Sequence, residues 1–390
     1  MIERLPREYL DDETIAAAWT GADQLAEAGA AIEAEHPDKD QALRAMVRLL
    51  GERGLLKLIV DGPEGGRFDK VRWRAVCLAR ERLGHASALL ELAFAMQGLG
   101  SYPITLSGSA ALKQRWLPKV RSGEAVAGFA ITEPEAGSDL SRIETSARVV
   151  GDHYVLDGRK IFISNATVGD VFTVFAAVAP KSERHWLSAF VVPGDAPGLT
   201  RIPQRVLGGH PIGELVLDGV RVPKENLIGA DGEGMRAALG TLHRFRVTVG
   251  AAAVGFAQRA LDEAVAHTST RRQFGAPLSQ LQAVQMSLAE RACDVEAARL
   301  LVYRAAKLAD EGAGREAEAY AASMAKLTAT ESAQRVIDRA VQLFGGRGVL
   351  LDNVVARLYE DVRSLRIYEG ASDVQRTLIA RHLLDMHKRS

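Results

Sequence analysis

One carboxylate in this sequence stands apart by its setting. Glu369 lies in Arg366–Ala371 (RIYEGA), between Tyr368 and Gly370 and just ahead of Ser372–Gln375 (SDVQ). A serine followed three residues later by glutamine fits a capping box, so a helix is predicted to begin at Ser372. A carboxylate held on a loop among bulky residues can act as a general base. A surface glutamate near a helix start would look similar. The loop is otherwise apolar, which favours the chemical reading.

Four further segments carry groups suited to binding. Phe129–Asp139 (FAITEPEAGSD) runs from a strand into a turn held by Pro134 and Gly137. It presents the hydroxyls of Thr132 and Ser138 together with free backbone N–H groups, a setting for a flat polar heterocycle and its phosphates. An ordinary polar turn reads the same way. Lys160–Asn165 (KIFISN) is predicted to be an alternating strand with Phe162 and Ser164 on one face, an aromatic beside a hydroxyl. Half-buried strands often share that pattern. Arg271–Gly275 (RRQFG) follows a helix; an arginine fork suits a pyrophosphate, and solvated arginines at a helix end are equally natural. Gln342–Gly348 (QLFGGRG) has three glycines in four positions, for close approach of a backbone to a ligand or for a helix C-cap and turn.

Two features are set aside. Gly232–Ala237 (GEGMRA) matches a loose dinucleotide fingerprint, but no hydrophobic strand directly precedes it and no β-α-β repeat surrounds it. His243 is a lone histidine on a predicted helix, read as structural or interfacial.

The elements that must position these groups change texture twice. From Asp11 to about Gly123 the chain reads as helices, as in Asp40–Arg53, Val71–Arg82 and Ala110–Val120. From about Glu124 to Ile228 short β-branched and aromatic runs take over: Val126–Thr132, Thr145–Val150, His153–Leu156, Lys160–Ser164, Val171–Val178 and Leu187–Val192. Gly151-Asp152 and Asp157-Gly158 read as tight connections. From about Gly234 onward helices return. Val284, Leu288, Ala292, Val295, Ala298, Val302, Ala305 and Ala309 form one stripe, and with Leu242–His267, Glu316–Phe344 and Ser372–Met386 this makes four helices, predicted to form an antiparallel bundle. The expected domains are 1–123 (helical), 124–233 (β) and 234–390 (helical bundle), a mostly α, α+β chain.

The 390 residues are too many for one core. Lysine plus arginine and aspartate plus glutamate balance at 49 each, so no overall basic excess points to nucleic acid or an anionic membrane. Cys77 and Cys293 are far apart and read as two buried free thiols, with no zinc-like spacing. Met1–Thr20 has acids and arginines without an apolar run, which argues against a signal peptide. The apolar run Leu83–Leu106 is interrupted by His85, Glu91 and Gln97 and falls short of a membrane span. A cytoplasmic protein is expected.

In order and spacing the motifs resemble one family, the acyl-CoA dehydrogenases, from about Leu49 to Leu384. Gln114–Gly123 (QRWLPKVRSG) leading into Thr-Glu-Pro, Arg-x-Gln-Phe-Gly, Gln-x-x-Gly-Gly and Tyr-Glu-Gly carry the resemblance. It implies a three-domain flavoprotein with a small barrel- or sandwich-like β domain and a C-terminal four-helix bundle, usually a homotetramer built as a dimer of dimers, active in fatty acid metabolism. By resemblance, Phe129, Ile131, Thr132, Gly137 and Ser138 line the FAD and its phosphates. Phe162, Ile163 and Ser164 lie beside the ring system. Arg271, Gln273, Phe274, Gln282, Gln342, Leu343, Gly345 and Gly346 reach the FAD of a neighbouring subunit, and Ala371, Ser372 and Asp373 complete the set. Ser138, Arg246, Tyr368 and Gly370 face substrate.

The resemblance also implies a mechanism. Glu369 takes the α-proton of an acyl-CoA thioester as the β-hydrogen leaves as hydride to flavin N5, and two donors on the thioester carbonyl stabilise the developing charge. Burial among apolar residues should raise the carboxyl pKa. An electron-transferring flavoprotein is the expected acceptor. One subgroup takes its base from the segment matching Thr241–Arg246, which holds no carboxylate here. Ala371 stands where the family usually has threonine, Phe162 where tryptophan is frequent and Ser164 where threonine is frequent. Met96, Leu99 and Tyr102 are candidate walls of the acyl pocket. The alternatives are an acyl-carrier-protein-linked dehydrogenase, a flavin oxidase or monooxygenase on the same fold, and a non-catalytic helical assembly protein.

Overall fold

The computed structural model describes residues 11, 13, 14, 18, 22–180, 183 and 185–389. Most of Met1–Thr20, read above as lacking an apolar leader, lies outside the described residues. The chain divides into two compact units: Glu27–Val71 with Leu92–Leu242, and Arg72–Glu91 with His243–Ser390 and the described part of Met1–Ala26.

Helices α1 (Ala22–Glu35), α2 (Lys39–Glu52), α3 (Trp73–Ala86), α4 (Ala88–Ser107) and α5 (Ala110–Ser122) form where the alanine- and leucine-rich texture predicts them. Local chemistry sets their ends. Asp38 caps α2 through bonds from the N–H groups of Asp40 and Gln41, and Ser109 caps α5 through Leu112 N. The apolar run around residue 90 is helical because its polar interruptions are paired. Gln97 donates to the carbonyls of Val120 and Ala125 and accepts from Ala127 N. Among the described residues no helix is long and apolar enough to cross a membrane.

Eight strands follow: β1 (Ala127–Ala130), β2 (Ser146–Val150), β3 (His153–Ser164), β4 (Val171–Ala177), β5 (Leu187–Pro193), β6 (Leu199–Pro203), β7 (Ile212–Pro223) and β8 (Leu227–Ile228). They make one sheet in the order β6-β7-β3-β2-β4-β5-β8, with β1 parallel to β4. Its core is built on Leu156, Phe172, Val174, Phe190, Leu215 and Val220. Gly151-Asp152 forms the predicted two-residue connection, with Val150 opposite His153. Asp157-Gly158 does not. The two predicted strands on either side of it are one strand, β3, and Gly158 sits at a register shift with its backbone against Thr145. Strands β6, β7 and β8 were not predicted: β7 carries an internal Asp-Gly that reads as a turn, and β6, at the sheet edge, is a five-residue strand holding an arginine and ending in a proline.

The C-terminal part contains α6 (Gly234–Thr270), a short hairpin of β9 (Arg272–Gln273) and β10 (Ala276–Pro277), then α7 (Gln282–Glu311), α8 (Arg315–Phe344), α9 (Val354–Leu365) and α10 (Ser372–Arg389). The four predicted helices are present, and α9 is an additional one. α7 and α8 pack antiparallel across Gly312–Gly314, and α9 and α10 pack on α8. α3 packs on α7, where buried Glu81 accepts from Arg299 Nε at 3.0 Å and from the Tyr303 hydroxyl at 2.8 Å. At Gly255 a Cβ would lie 2.2 Å from the Glu81 carbonyl oxygen, so this approach of α6 to α3 requires glycine.

The predicted α7 stripe is buried from Val295 to Ala309, whereas Leu288 is half-buried and Ala292 exposed. Cys293 lies off the stripe and is exposed, against the expectation of two buried thiols; Cys77 is buried.

Candidate active site

Glu369 sits between the C-terminus of α9 and the start of α10 with φ 51°, one of four non-glycine residues held in the left-handed region among the described residues. For a side chain with a Cβ that conformation costs roughly 1–2 kcal/mol, so something must hold it. Three side chains grip the adjoining carbonyls. Arg246 Nε, from α6, donates to Glu369 O at 3.2 Å. Lys326 Nζ, from α8, donates to Gly370 O at 2.8 Å, and Gln375 Nε2, from α10, donates to the same oxygen at 3.0 Å. Gly370 has φ 95°, and a Cβ there would come within 2.2 Å of Gln375 Nε2.

Helix α10 begins at the predicted residue, but no capping box forms. Ser372 Oγ donates to Glu331 Oε1 at 2.6 Å, and the Gln375 amide is spent on Gly370 O. Glu331 also pairs with Arg366, so the loop is tied to α8 at both ends. Pulling the serine and glutamine toward the loop costs the helix its reciprocal cap and fixes the backbone beside the base.

Glu369 is half-buried as a residue, with one carboxyl oxygen shut away from solvent. Its Oε2 is buried and has no hydrogen-bond partner among the described residues, as is true of Arg246 Nη1. Burial pushes its pKa up to about 7; Arg80, Arg246 and Lys326 pull it down, and Glu91 adds to the rise. The rise was expected, but the surroundings differ from the expected apolar ones: three buried cations face this carboxylate. Arg80 is held by Glu91 and, from Nη1, by Thr248 Oγ1 at 2.6 Å. Tyr368 is raised by burial of its hydroxyl and then by Glu91. His243 is driven down to about 4 by burial, then by Arg246 and Arg315, which keeps it neutral.

Arg80, Glu91 and Lys326 were missed by sequence reasoning. The available signal was a charge at a position of a buried stripe: Lys326 lies one turn from Ala322 and Thr330, both buried.

In the other unit the Thr-Glu-Pro turn is fastened to β3. Buried Glu133 accepts from Lys160 Nζ at 2.6 Å and from the N–H groups of Glu144 and Thr145, and Ile161 N donates to Thr132 O at 2.9 Å. Phe129 packs against Phe175 in the core, and the Ile131 side chain is buried, so these two can offer a ligand little beyond backbone. Thr132 is half-buried; Gly137 and Ser138 are exposed, with open space around Gly137. Phe162 is 58% exposed, has φ 54° and lies at a register shift between Lys160 and Ile163. That bulge interrupts the alternation from which a shared face with Ser164 was expected. Ile163 is buried and Ser164 half-buried. Met96, Leu99 and Tyr102 are all buried along α4.

The remaining candidates flank the long helices. Arg271 is exposed after α6. Phe274 and Gly275, both with positive φ, form the tip of the β9–β10 hairpin, and Phe274 is 94% exposed. Gln273 and Gln282 are exposed. Gln342 and Leu343 end α8, where Gly345 N–H caps onto Gln342 O, and Gly345 and Gly346 border open space. Ala371 is half-buried, Ser372 buried and Asp373 exposed.

A helical–β–helical chain that isolates one carboxylate on a strained loop among buried cations is organised as an enzyme. The N-terminal, middle and C-terminal domain profiles of the acyl-CoA dehydrogenases match residues 13–124, 128–220 and 232–384, and the chain belongs to the acyl-CoA dehydrogenase family. It is accordingly an oxidoreductase acting on acyl-CoA. It is 38% identical to a glutaryl-CoA dehydrogenase of Desulfococcus multivorans over 346 residues, 88% of each chain. Among solved structures it is similar to a chain of an electron transferring flavoprotein study of Acidaminococcus fermentans (TM-score 0.89, 34% identity, 96% of this chain and 98% of that one). It is also similar to an acyl-CoA dehydrogenase complexed with FAD from Bacillus anthracis (TM-score 0.89, 29% identity, 100% of this chain and 71% of that one).

Proposed function

We propose that Glu369 is the base that removes the α-proton of an acyl-CoA thioester while the β-hydrogen departs with its electron pair, leaving the trans-2-enoyl thioester. One observation carries this reading: a carboxylate oxygen buried without a partner, on a backbone pinned by Arg246, Lys326 and Gln375. A pKa of about 7 leaves this group divided between acid and base at neutral pH, where a general base works best. Arg246, Tyr368, Gly370 and Ser138 are the proposed substrate contacts, with the Glu369 N–H as one donor to the thioester carbonyl.

FAD, when bound, supplies the two-electron acceptor. The residues present fit it. Phe162 is an exposed aromatic on a strained bulge, Thr132, Gly137 and Ser138 offer hydroxyls and accessible backbone, and Gly345 and Gly346 leave room for a close approach. Phe129, Ile131, Ile163, Ser164, Ala371, Ser372 and Asp373 belong to the same proposed set. Arg271, Gln273, Phe274, Gln282, Gln342 and Leu343 would serve the cofactor of a neighbouring subunit. The homotetramer this implies is supported by the exposed apolar side chains of Phe274, Leu281, Met286, Val349, Leu350 and Leu351.

An electron-transferring flavoprotein is the proposed acceptor, in keeping with the similarity to the Acidaminococcus chain. The three domains divide near 123 and 233. Free Cys77 and Cys293 are in keeping with a cytoplasmic, reducing location.

Anaerobic mixing of the yellow enzyme with a panel of short, long, branched, aromatic and dicarboxylic acyl-CoAs tests the reading: at least one thioester should bleach the flavin absorbance. Glu369→Gln should keep the bound flavin and lose the bleaching. Failure of every thioester with the wild-type enzyme would overturn the proposal.

A further inference from the structure

Among the described residues three buried cations sit directly against a carboxylate: Arg80 with Glu91, Arg299 with Glu81 and Lys160 with Glu133. Lys326 is different. It is 0% exposed, yet among the described residues no carboxylate oxygen lies within salt-bridge distance of its Nζ. Its ammonium instead donates to a neutral acceptor, the carbonyl oxygen of Gly370, at 2.8 Å. Leaving a buried charge without a directly bonded counter-ion is costly. The contact that offsets this cost is the peptide carbonyl it holds.

We propose that Lys326 is the positioning residue of the base loop: its bond to Gly370 O, beside the Arg246 bond to Glu369 O, locks the left-handed turn that aims the Glu369 carboxylate. In that position its charge also favours the ionised form of the carboxylate. This rests on Glu369 being the base.

The geometry explains why two cations are needed. With φ of 51° at Glu369 and 95° at Gly370, two consecutive carbonyls are turned toward the neighbouring helices in a half-buried setting, where leaving a carbonyl unpaired is costly. Arg246 and Lys326 each take one from a different helix, and Gln375 Nε2 reinforces the second. The groups facing Glu369 are Arg80 on α3, Glu91 on α4, Arg246 on α6, Lys326 on α8 and Tyr368 on its own loop. Those facing Lys326 are Glu369, Arg246, Glu331 and Arg366. Burial lowers the Lys326 pKa to about 8, while Glu369 and then Glu331 pull it up, so the ammonium form is favoured at neutral pH.

Two variants separate the bond from the charge. Lys326→Met removes both and is expected to lower kcat by roughly tenfold to a hundredfold with little change in KM, and to move the acidic limb of the kcat profile up by about one pH unit. Lys326→Gln keeps a neutral donor; it should recover much of kcat while keeping the displaced limb. A purely structural lysine would instead give two variants equally impaired with the limb unmoved, and that result overturns the proposal, as does Lys326→Met with wild-type kcat and limb. The coupling is also read without turnover. A double-mutant cycle of Lys326→Met and Glu369→Gln on the melting of the flavin-loaded protein should be non-additive at pH 7.5 and additive at pH 5. Additivity at both pH values overturns the charge coupling even if no thioester proves to be a substrate.

Discussion

Arg246 donates from Nε to the main-chain oxygen of Glu369, so the guanidinium grips the base by its backbone and leaves the carboxylate free. A bidentate ion pair would have tied up the lone pairs that must receive a proton. Here the cation contributes its field and its geometry, and Glu369 Oε2 has no hydrogen-bond partner among the described residues.

The first prediction concerns pH. The base must be ionised to accept a proton, and the Glu369 pKa stands at about 7, raised chiefly by burial. Below that value kcat/KM should fall about tenfold per pH unit, and above it the acidic limb should level off. Stopped-flow reduction of the flavin between pH 5.5 and 8.5 measures this. A limb centred near the ordinary carboxylate range, about 4.5, would mean that the free enzyme does not enclose Glu369 as described.

A second prediction links the same group to stability. Its folded pKa of about 7 lies above the ordinary 4.5, so the folded state binds the proton more tightly. The resulting stabilisation is fully present below pH 4.5 and is lost as pH rises through 7. Glu369→Gln carries no such charge. Its melting temperature should exceed the wild-type value at pH 8, by the equivalent of at most about 3 kcal/mol, and the advantage should vanish at pH 5. Parallel melting curves at the two pH values decide it; a wild-type advantage at pH 8 would contradict the enclosure of the carboxyl.

Glu133 and Lys160 provide a third. Lys160 is wholly buried, and its partner also receives two backbone N–H groups, of Glu144 and Thr145 just ahead of β2. Glu133→Ala should destabilise the protein by on the order of 3–5 kcal/mol, because it strands a buried ammonium. Replacing both residues, as Glu133→Gln with Lys160→Met, should recover more than half of the loss. Since Ile161 N also bonds Thr132 O, the single variant should release flavin more readily in ultrafiltration. Equal melting of the single and double variants would show that the ion pair is not what fastens this turn.

How much of this was legible in the sequence depended on whether the signal was local. Helix texture, the Gly151-Asp152 hairpin and the start of α10 are written in neighbouring residues, and they were found. The uninterrupted β3 was not, because Asp157-Gly158 is chemically a turn and becomes a bulge only when β7 and Thr145 pack beside it. Glu369 could be singled out by motif. The Arg80, Glu91 and Lys326 charges around it were not: a charge in an apolar stripe signals burial, but each of the three comes from a different helix and nothing local brings them together around Glu369. Ser372 and Gln375 signalled the right helix boundary for the wrong reason: their side chains are recruited by Glu331 and Gly370.

The grip on the base loop reaches far along the polypeptide. Arg246 is 123 positions from the carbonyl it holds, and Lys326 is 44 from its own. A refolding chain can regain its helical circular dichroism from local contacts well before such distant partners meet. Catalytic competence should therefore be among the last properties to return after dilution from denaturant, arriving only once α6, α8 and α10 have docked around a turn that none of them could hold alone.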